Sequence, residues 1–456
     1  MPRRGLNATG VGMLPWVIGI LAIGVWFVLF GPALAQTELV RPHVPGYETP
    51  DWRAKIKEAT APNPVWDYVD VGFLVVAIGA ASYLAIRARS RRGLVILAAI
   101  SLFWLGFVRQ GCICPIGAIQ NVALTLADPS YSLPLTVAVL FVAPILLTLA
   151  FGRTFCGAVC PLGAVQELVA VLPMRIPRWV DEVLGLLPYG YLGLGILTAV
   201  CSGYFLICQY DPFVSFFRLG ANFEVWLFSF AFLGLGIIVA RPYCRFLCPL
   251  GAIFRIVAPL SRWHLKIHPS RCISCRLCED VCPYNAIRRA TGQTPEASEI
   301  PVKTSPLVVA LLIGAIWTVG AVSGFLLGPV LARLDWRVQL AEQIWYEESG
   351  LAAETTDASD VFRKSGTPIS ELYQQAAAIE NRYRFGAVLV GIWLAFVAST
   401  KLVQLQTPAR RDEYEPERSK CYCCGRCFRF CPIELQRLGL LDEESLAVYV
   451  KSRGPG

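Results

Sequence analysis

Long apolar stretches alternate along the chain with short polar turns rich in arginine, a pattern that predicts an all-α polytopic membrane protein of about eight transmembrane helices. The first stretch, Val11 to Ala35, follows Arg3 and Arg4 and ends Ala33-Leu34-Ala35-Gln36, the form of a signal-peptidase site. Its apolar core is longer than the about 7–15 residues of a signal peptide. Residues 1–35 are read as a signal peptide or as the first transmembrane helix, with seven helices left if the segment is cleaved. Both readings put residues 36–70 outside, as a polar loop carrying Pro42, Pro45, Pro50, Pro62 and Pro64. Further spans are predicted at Val71 to Ile86, Leu94 to Val108, Leu133 to Phe151, Leu186 to Ile207 and Val225 to Ala240. The last two, Leu307 to Leu331 and Phe385 to Ser399, enclose a polar segment from Arg333 to Arg384. That segment is expected to form an amphipathic helix, a loose loop from Ser349 to Thr367 and a second helix.

Charge orients these spans. Arg87, Arg89, Arg91 and Arg92 mark the turn after the second span as cytoplasmic, and ten Lys or Arg between Arg241 and Lys303 mark the segment after the sixth. The polar segments after the sixth and eighth spans then lie on one side, the cytoplasmic face of the inner membrane. The expected division is 71–262 for the membrane domain, 263–304 for a first cytoplasmic half and 305–332 for a transmembrane helix. An outer helical segment at 333–384, a helix at 385–404 and a second cytoplasmic half at 405–456 follow. Only 16% of the residues are charged and 55% are hydrophobic, against about 25% charged in soluble proteins. Positive-inside loops account for much of the net charge of +8, so membrane lipid and not nucleic acid is the expected contact. With only His43, His264 and His268, and no C-x-x-C-H, no haem is expected.

Seventeen cysteines then change the picture. Cys272, Cys275, Cys278 and Cys282, followed by Pro283, form the C-x2-C-x2-C-x3-C-P run that turns thiolates onto iron–sulfur cubes. Cys421, Cys424, Cys427 and Cys431, followed by Pro432, repeat it. Zinc knuckles are spaced differently. Two [4Fe-4S] clusters are therefore expected, in a small cytoplasmic ferredoxin-like module built from two distant halves. Each run could close its own cube, or the fourth cysteine of each could complete the other's; the proline after each favours the exchange. Cys423 fits no ligand position.

A second repeat lies in the membrane domain. Cys114-Pro115-Ile116-Gly117-Ala118, Cys160-Pro161-Leu162-Gly163-Ala164 and Cys248-Pro249-Leu250-Gly251-Ala252 share one core. The second and third copies also share R-x2-C-x3-C, with Arg153, Cys156, Cys160 and Arg241, Cys244, Cys248. The four thiols could bind a further iron–sulfur cluster at the cytoplasmic membrane edge, with Arg153 and Arg241 offsetting its negative charge, or could serve as small packing residues. On the outer side Cys112 and Cys114 could join Cys201 and Cys208, whose spacing of seven puts them on one face of a continuous helix. That outer set is read as a second extra metal site or as disulfides. No catalytic nucleophile–base arrangement stands out.

At these residues, over about Gly152 to Asn285 and Ser419 to Leu435, the chain resembles the NosR/NapH/CcoG-type membrane iron–sulfur proteins. The resemblance implies electron transfer between a cytoplasmic or quinone-pool donor and a membrane or extracytoplasmic acceptor, as a subunit of an oxidoreductase complex. It also implies redox partners such as a flavoprotein, a ferredoxin or a quinone. NosR-like members carry a covalent flavin on a Ser/Thr-Gly-Ala-Thr motif; Ser365-Gly366-Thr367 does not match it, so no covalent flavin is expected on this chain. The resemblance admits two other roles, a CcoG-like assembly factor that reduces metal ions and a redox-sensing or scaffold subunit.

Overall fold

The computed structural model describes residues 64–111, 115–171, 173–220, 223–267, 275–288, 305–351, 354–406 and 414–442. The expectations for the first span, for residues 36–63 and for Cys112, Cys114 and Cys272 lie outside the described residues.

Helix α1 (Pro64–Ile86) starts on a proline, whose missing N–H is no loss in a first turn, seven residues before the expected span. The Ser90 side chain caps α2 (Arg91–Ser101) by accepting from the Gly93 N–H, and the helix runs on as a π-helical segment, Leu102–Val108. Next come α3 (Pro115–Ala127) and α4 (Leu135–Phe151), then the short pair α5 (Thr154–Ala158) and α6 (Pro161–Val169). Helices α7 (Arg178–Leu184) and α8 (Leu187–Ser202) are followed by α9 (Leu206–Gln209), α10 (Pro212–Arg218) and α11 (Phe223–Ile238). A second short pair, α12 (Pro242–Phe246) and α13 (Pro249–Val257), completes the membrane domain.

Among the described residues five stretches are long and apolar enough to cross a membrane: Val65–Ile86, Arg91–Val108, Arg178–Ser202, Pro306–Ala332 and Ile369–Gln404. Helices α4 and α11 are shorter, at 17 and 16 residues, about 25 Å against a hydrocarbon core of ~30 Å. Each leads into one of the short pairs, and those pairs are the densest part of the molecule. Every residue from Gly152 to Gln166 and from Val239 to Ala252 is buried. Broken helices are tolerated at such a depth only where protein surrounds them.

The breaks follow from sequence. Pro161 and Pro249 cannot continue the preceding turn and instead start α6 and α13. The glycine two residues on then lets the pairs close. A Cβ on Gly163 would stand 2.8 Å from the Cys156 carbonyl oxygen, and one on Gly251 would stand 3.2 Å from that of Cys244.

Beyond the membrane domain come α14 (Leu277–Asp280) and β1 (Ile287–Arg288), then α15 (Pro306–Ala332). Helices α16 (Trp336–Glu348), α17 (Asp357–Lys364) and α18 (Ile369–Gln406) follow, then β2 (Glu415–Pro416), α19 (Arg426–Phe430) and α20 (Pro432–Arg437). Helices α15 and α18 pack backbone to backbone along a seam of small residues: Cβ atoms on Gly320, Gly324 and Gly328 would fall within 2.6 Å of α18 backbone atoms.

The segment between the last two predicted spans departs from expectation. The stretch read as a loose loop contains α17, whose N-terminus Thr356 and Ser359 close with a reciprocal capping box. Phe362 and Ala358 pack on Leu340, Ile344 and Leu372. Helix α18 continues unbroken for 38 residues through the polar segment and the last predicted span. Glu347, Glu342 and Glu348 are bound within this unit, to Arg363, Arg333 and Tyr373 respectively.

Candidate metal centre

The two short pairs bring Cys156, Cys160, Cys244 and Cys248 together, each less than a tenth exposed. Burial pushes the Cys160 thiol well up, and the neighbouring Cys244, Cys156 and Cys248 add to it. Burial likewise pushes Cys244 up to about 12, against the pull of Arg241. Among the described residues no disulfide joins any cysteines. The Gln166 amide donates to the Cys244 sulfur at 3.2 Å, and the Gly251 N–H to the Cys248 sulfur at 3.4 Å.

Each arginine of the repeat reaches across to the other copy. Arg241 donates to the carbonyls of Cys156 and Gly157, while Arg153 lies beside Cys156 and Cys248. Both are 1% exposed. Arg241 is ion-paired with Glu167 at 3.1 Å. Arg153 donates to the Ser419 carbonyl, and among the described residues its Nε and Nη2 have no hydrogen-bond partner. A buried guanidinium with orphaned donors beside four thiols suits an anionic, thiolate-held group. Among the described residues no three metal-binding side chains converge as one ion requires. A cluster does not require it, because each thiolate binds a separate iron.

The two cysteine runs meet beneath this site. Ile287 pairs with Pro416 and Arg288 with Glu415 in an antiparallel ladder that joins the halves. Cys282 of the first run lines one cavity with Cys421, Cys424 and Cys427 of the second. Cys431 of the second run stands near Cys275 of the first. Cys282, Cys421, Cys424 and Cys427 pack against the membrane-domain core. Cys423, buried at φ +52°, donates its S–H to the Cys421 sulfur and holds the Cys421 pKa below its ordinary value.

A family model described as a 4Fe-4S binding domain matches residues 133–179 and 222–268, the two repeats, and another of the same description matches 265–288. An uncharacterized protein of Methanocaldococcus jannaschii is 34% identical over 194 residues, 40% of this chain and 79% of that protein. The chain belongs to the NapH-type family of 4Fe-4S-binding membrane proteins. The ferredoxin-type protein NapH of Haemophilus influenzae is 30% identical over 143 residues, 30% of this chain. YccM of Escherichia coli, named for electron transport, is 28% identical over 188 residues, 37% of this chain. The chain spans about half the length of each, 50% of NapH and 52% of YccM. No solved structure matches.

In this NapH-type protein one carboxylate ties the two sets of cysteines together. Glu167, on α6, pairs with Arg91, Arg241 and Arg426 and accepts from the Tyr284 hydroxyl at 3.0 Å. Arg91 also donates to the Cys424 carbonyl at 2.7 Å. Burial opposes ionisation of Glu167, but Arg241, Arg426 and Arg91 outweigh it and bring its pKa down to about 2. A depressed carboxylate stabilises the fold above its unfolded pKa, near 4.5, and that contribution fades as pH falls toward 2. Glu167→Gln is therefore expected to cost about 3 kcal/mol at pH 7, since each pKa unit is worth 1.36 kcal/mol. Thermal unfolding in detergent should show the gap to wild type closing as pH falls from 5 toward 2; a constant gap would refute the pH-dependent part.

Of the four cysteines read as an outer set, Cys201 and Cys208 lie on separate helices. Helix α8 ends at Ser202, Gly203 turns at φ +67°, and Cys208 sits on the separate helix α9. Cys201 and Cys208 therefore do not share one continuous helical face. Cys201 packs beside Gly386 on α18, whereas the Cys208 sulfur stands 3.1 Å from where a Cβ on Gly117 would be. Cys208 thus lies against Gly117 of the first C-P-I-G-A copy. Gln120 supports it, accepting from the Cys208 N–H at 3.3 Å.

Sequence reasoning missed Glu167, Gln166, Tyr284 and Tyr422. For Glu167 a signal was present: it is the one acidic residue of the apolar helix Pro161–Val169, and buried carboxylates are seldom left unpaired. Nothing local marked the two tyrosines.

Proposed function

We propose that this protein carries single electrons across the cytoplasmic edge of the membrane, from a cytoplasmic or quinone-pool donor toward a membrane or extracytoplasmic redox partner. The observation that carries this reading is the stacking of four buried thiols, on two matched repeats, directly against the paired cysteine runs. Iron–sulfur clusters bound there would supply one-electron oxidation and reduction. Cys272, Cys275, Cys278 and Cys431 would hold one, and Cys421, Cys424, Cys427 and Cys282 a second. Cys156, Cys160, Cys244 and Cys248 would hold a third.

Arg153 and Arg241 supply positive charge where a thiolate-held group brings negative charge, which raises the potential at which it accepts an electron. The buried shell around both repeats keeps water away. Ten basic residues between Arg241 and Lys303 favour a cytoplasmic position for the paired runs. The names of YccM and NapH, an electron transport protein and a ferredoxin-type protein, agree with this role. The test is anaerobic reconstitution followed by iron and sulfide assay. About twelve irons per chain are expected for three [4Fe-4S] groups. About eight would leave the membrane-edge cysteines without a cluster, and about four would refute the pair of cubes.

A further inference from the structure

Between Cys421 and Cys423 of the second run, Tyr422 reaches the membrane-edge site. Tyr422 is 2% exposed. Its hydroxyl donates to the Cys244 carbonyl at 3.1 Å. Its ring lies 4.2 Å from the Arg153 guanidinium and 5.7 Å from that of Arg241. Its other neighbour is Tyr284, two residues after Cys282, with ring centroids 4.7 Å apart.

The repeat makes room for this contact by breaking its own symmetry. Gly157 follows Cys156, and a Cβ there would stand 2.5 Å from the Tyr422 carbonyl oxygen. The matching position in the other copy, after Cys244, is Arg245. That side chain is buried and donates to the Pro283 carbonyl at 3.0 Å and to Asp181 at 2.7 Å. One copy thus admits the backbone of the second run, and the other grips the chain just past Cys282. Both contacts fall on the cysteine set that packs on the membrane-domain core.

We propose that Tyr422 is the positioning residue that seats the Cys282, Cys421, Cys424 and Cys427 set on the four-cysteine membrane-edge site and forms the protein connection between them. This rests on the function proposed above and orders its parts. The membrane-edge site faces the set completed by Cys282, and the set completed by Cys431 lies beyond, toward the donor. In one transfer an electron leaves the reduced ferredoxin side and the membrane-edge side gains it; no bond or proton moves at Tyr422.

The test uses the full-length protein, reconstituted anaerobically, as wild type, Tyr422→Phe and Tyr422→Leu. Hydrogen–deuterium exchange over residues 154–160 reads the seating without electron flow. Tyr422→Leu should raise exchange there about tenfold while the phenylalanine ring keeps most of the protection. A photochemical one-electron reductant and freeze-quench EPR read the connection. Tyr422→Leu should slow reduction of the membrane-edge signal about tenfold at unchanged iron content, and Tyr422→Phe about threefold. Should the leucine variant lose iron, the phenylalanine variant decides alone, slowing supporting the proposal and wild-type speed overturning it. Wild-type exchange and wild-type rate in both variants, at full iron, overturn the seating and the connection and leave the proposed function standing. A wild-type protein holding only about eight irons overturns the membrane-edge reading and the connection with it.

Discussion

Cys282→Ala is expected to remove the cube of the second cysteine run and to leave that of its own run in place. Iron should fall by about four per chain, and the EPR signal that disappears should be the one also lost in Cys424→Ala. Cys431→Ala should do the converse and remove the signal that depends on Cys275. The physical ground is the fold of the two halves. The chain turns after Cys282 into β1, which pairs with β2 just before Cys421. Cys282 lines a cavity shared with Cys421, Cys424 and Cys427. Cys427 registers the same neighbourhood: burial pushes its thiol up, and Cys421, Cys424, Cys282 and Cys278 push it further. Cys431, leading into α20, comes to Cys275 instead. A Cys282→Ala protein that loses only the signal dependent on Cys275 would show that each run closes its own cube.

The features legible in the sequence were those written in short, repeated spacings. C-x2-C-x2-C-x3-C-P needs only local geometry, and so does R-x2-C-x3-C-P, so both could be read without knowing the fold. The apolar stretches also stood out, because hydrocarbon leaves the backbone few choices. Features that depend on partners far along the chain were not legible. Glu167 gathers Arg91, Arg241 and Arg426, separated from it by 76, 74 and 259 residues. Tyr422 reaches Cys244 over a separation of 178. The spacing of Cys201 and Cys208 misled because it presumes an unbroken helix, and Gly203 takes the left-handed turn that ends one. Helix α17 was hidden in a polar stretch because its capping box closes with Ser359 in place of the usual Glu or Gln. Cys423 looked surplus because nothing in the spacing shows that it is buried beside Cys421.

Cys160→Ala and Cys248→Ala are each expected to reduce transfer between the cytoplasmic and outer sides to background in inside-out vesicles, while reduction of the paired ferredoxin clusters from the cytoplasm persists. If the four thiols were only packing residues, alanine would fill the sites at modest cost: a buried cysteine behaves as a small hydrophobe, and each side chain loses one sulfur. The surroundings argue for more than packing. Gln166 and the Gly251 N–H aim donors at Cys244 and Cys248. Two buried arginines cross between the copies, and among the described residues Arg153 keeps two nitrogens without a hydrogen-bond partner beside Cys156 and Cys248. Such groups are costly in a bare apolar core and would be compensated by the negative charge of a thiolate-held cluster. The ferredoxin cysteines are untouched by either substitution, so their iron should stay bound and only the third set of about four should be lost. Protein level and iron content, measured beside acceptor reduction, separate a lost cluster from a lost fold. Full transfer with unchanged iron in both variants would make the four cysteines packing residues after all, and Arg153 would then have to find its counter-charge in the Tyr422 ring and the Ser419 carbonyl alone.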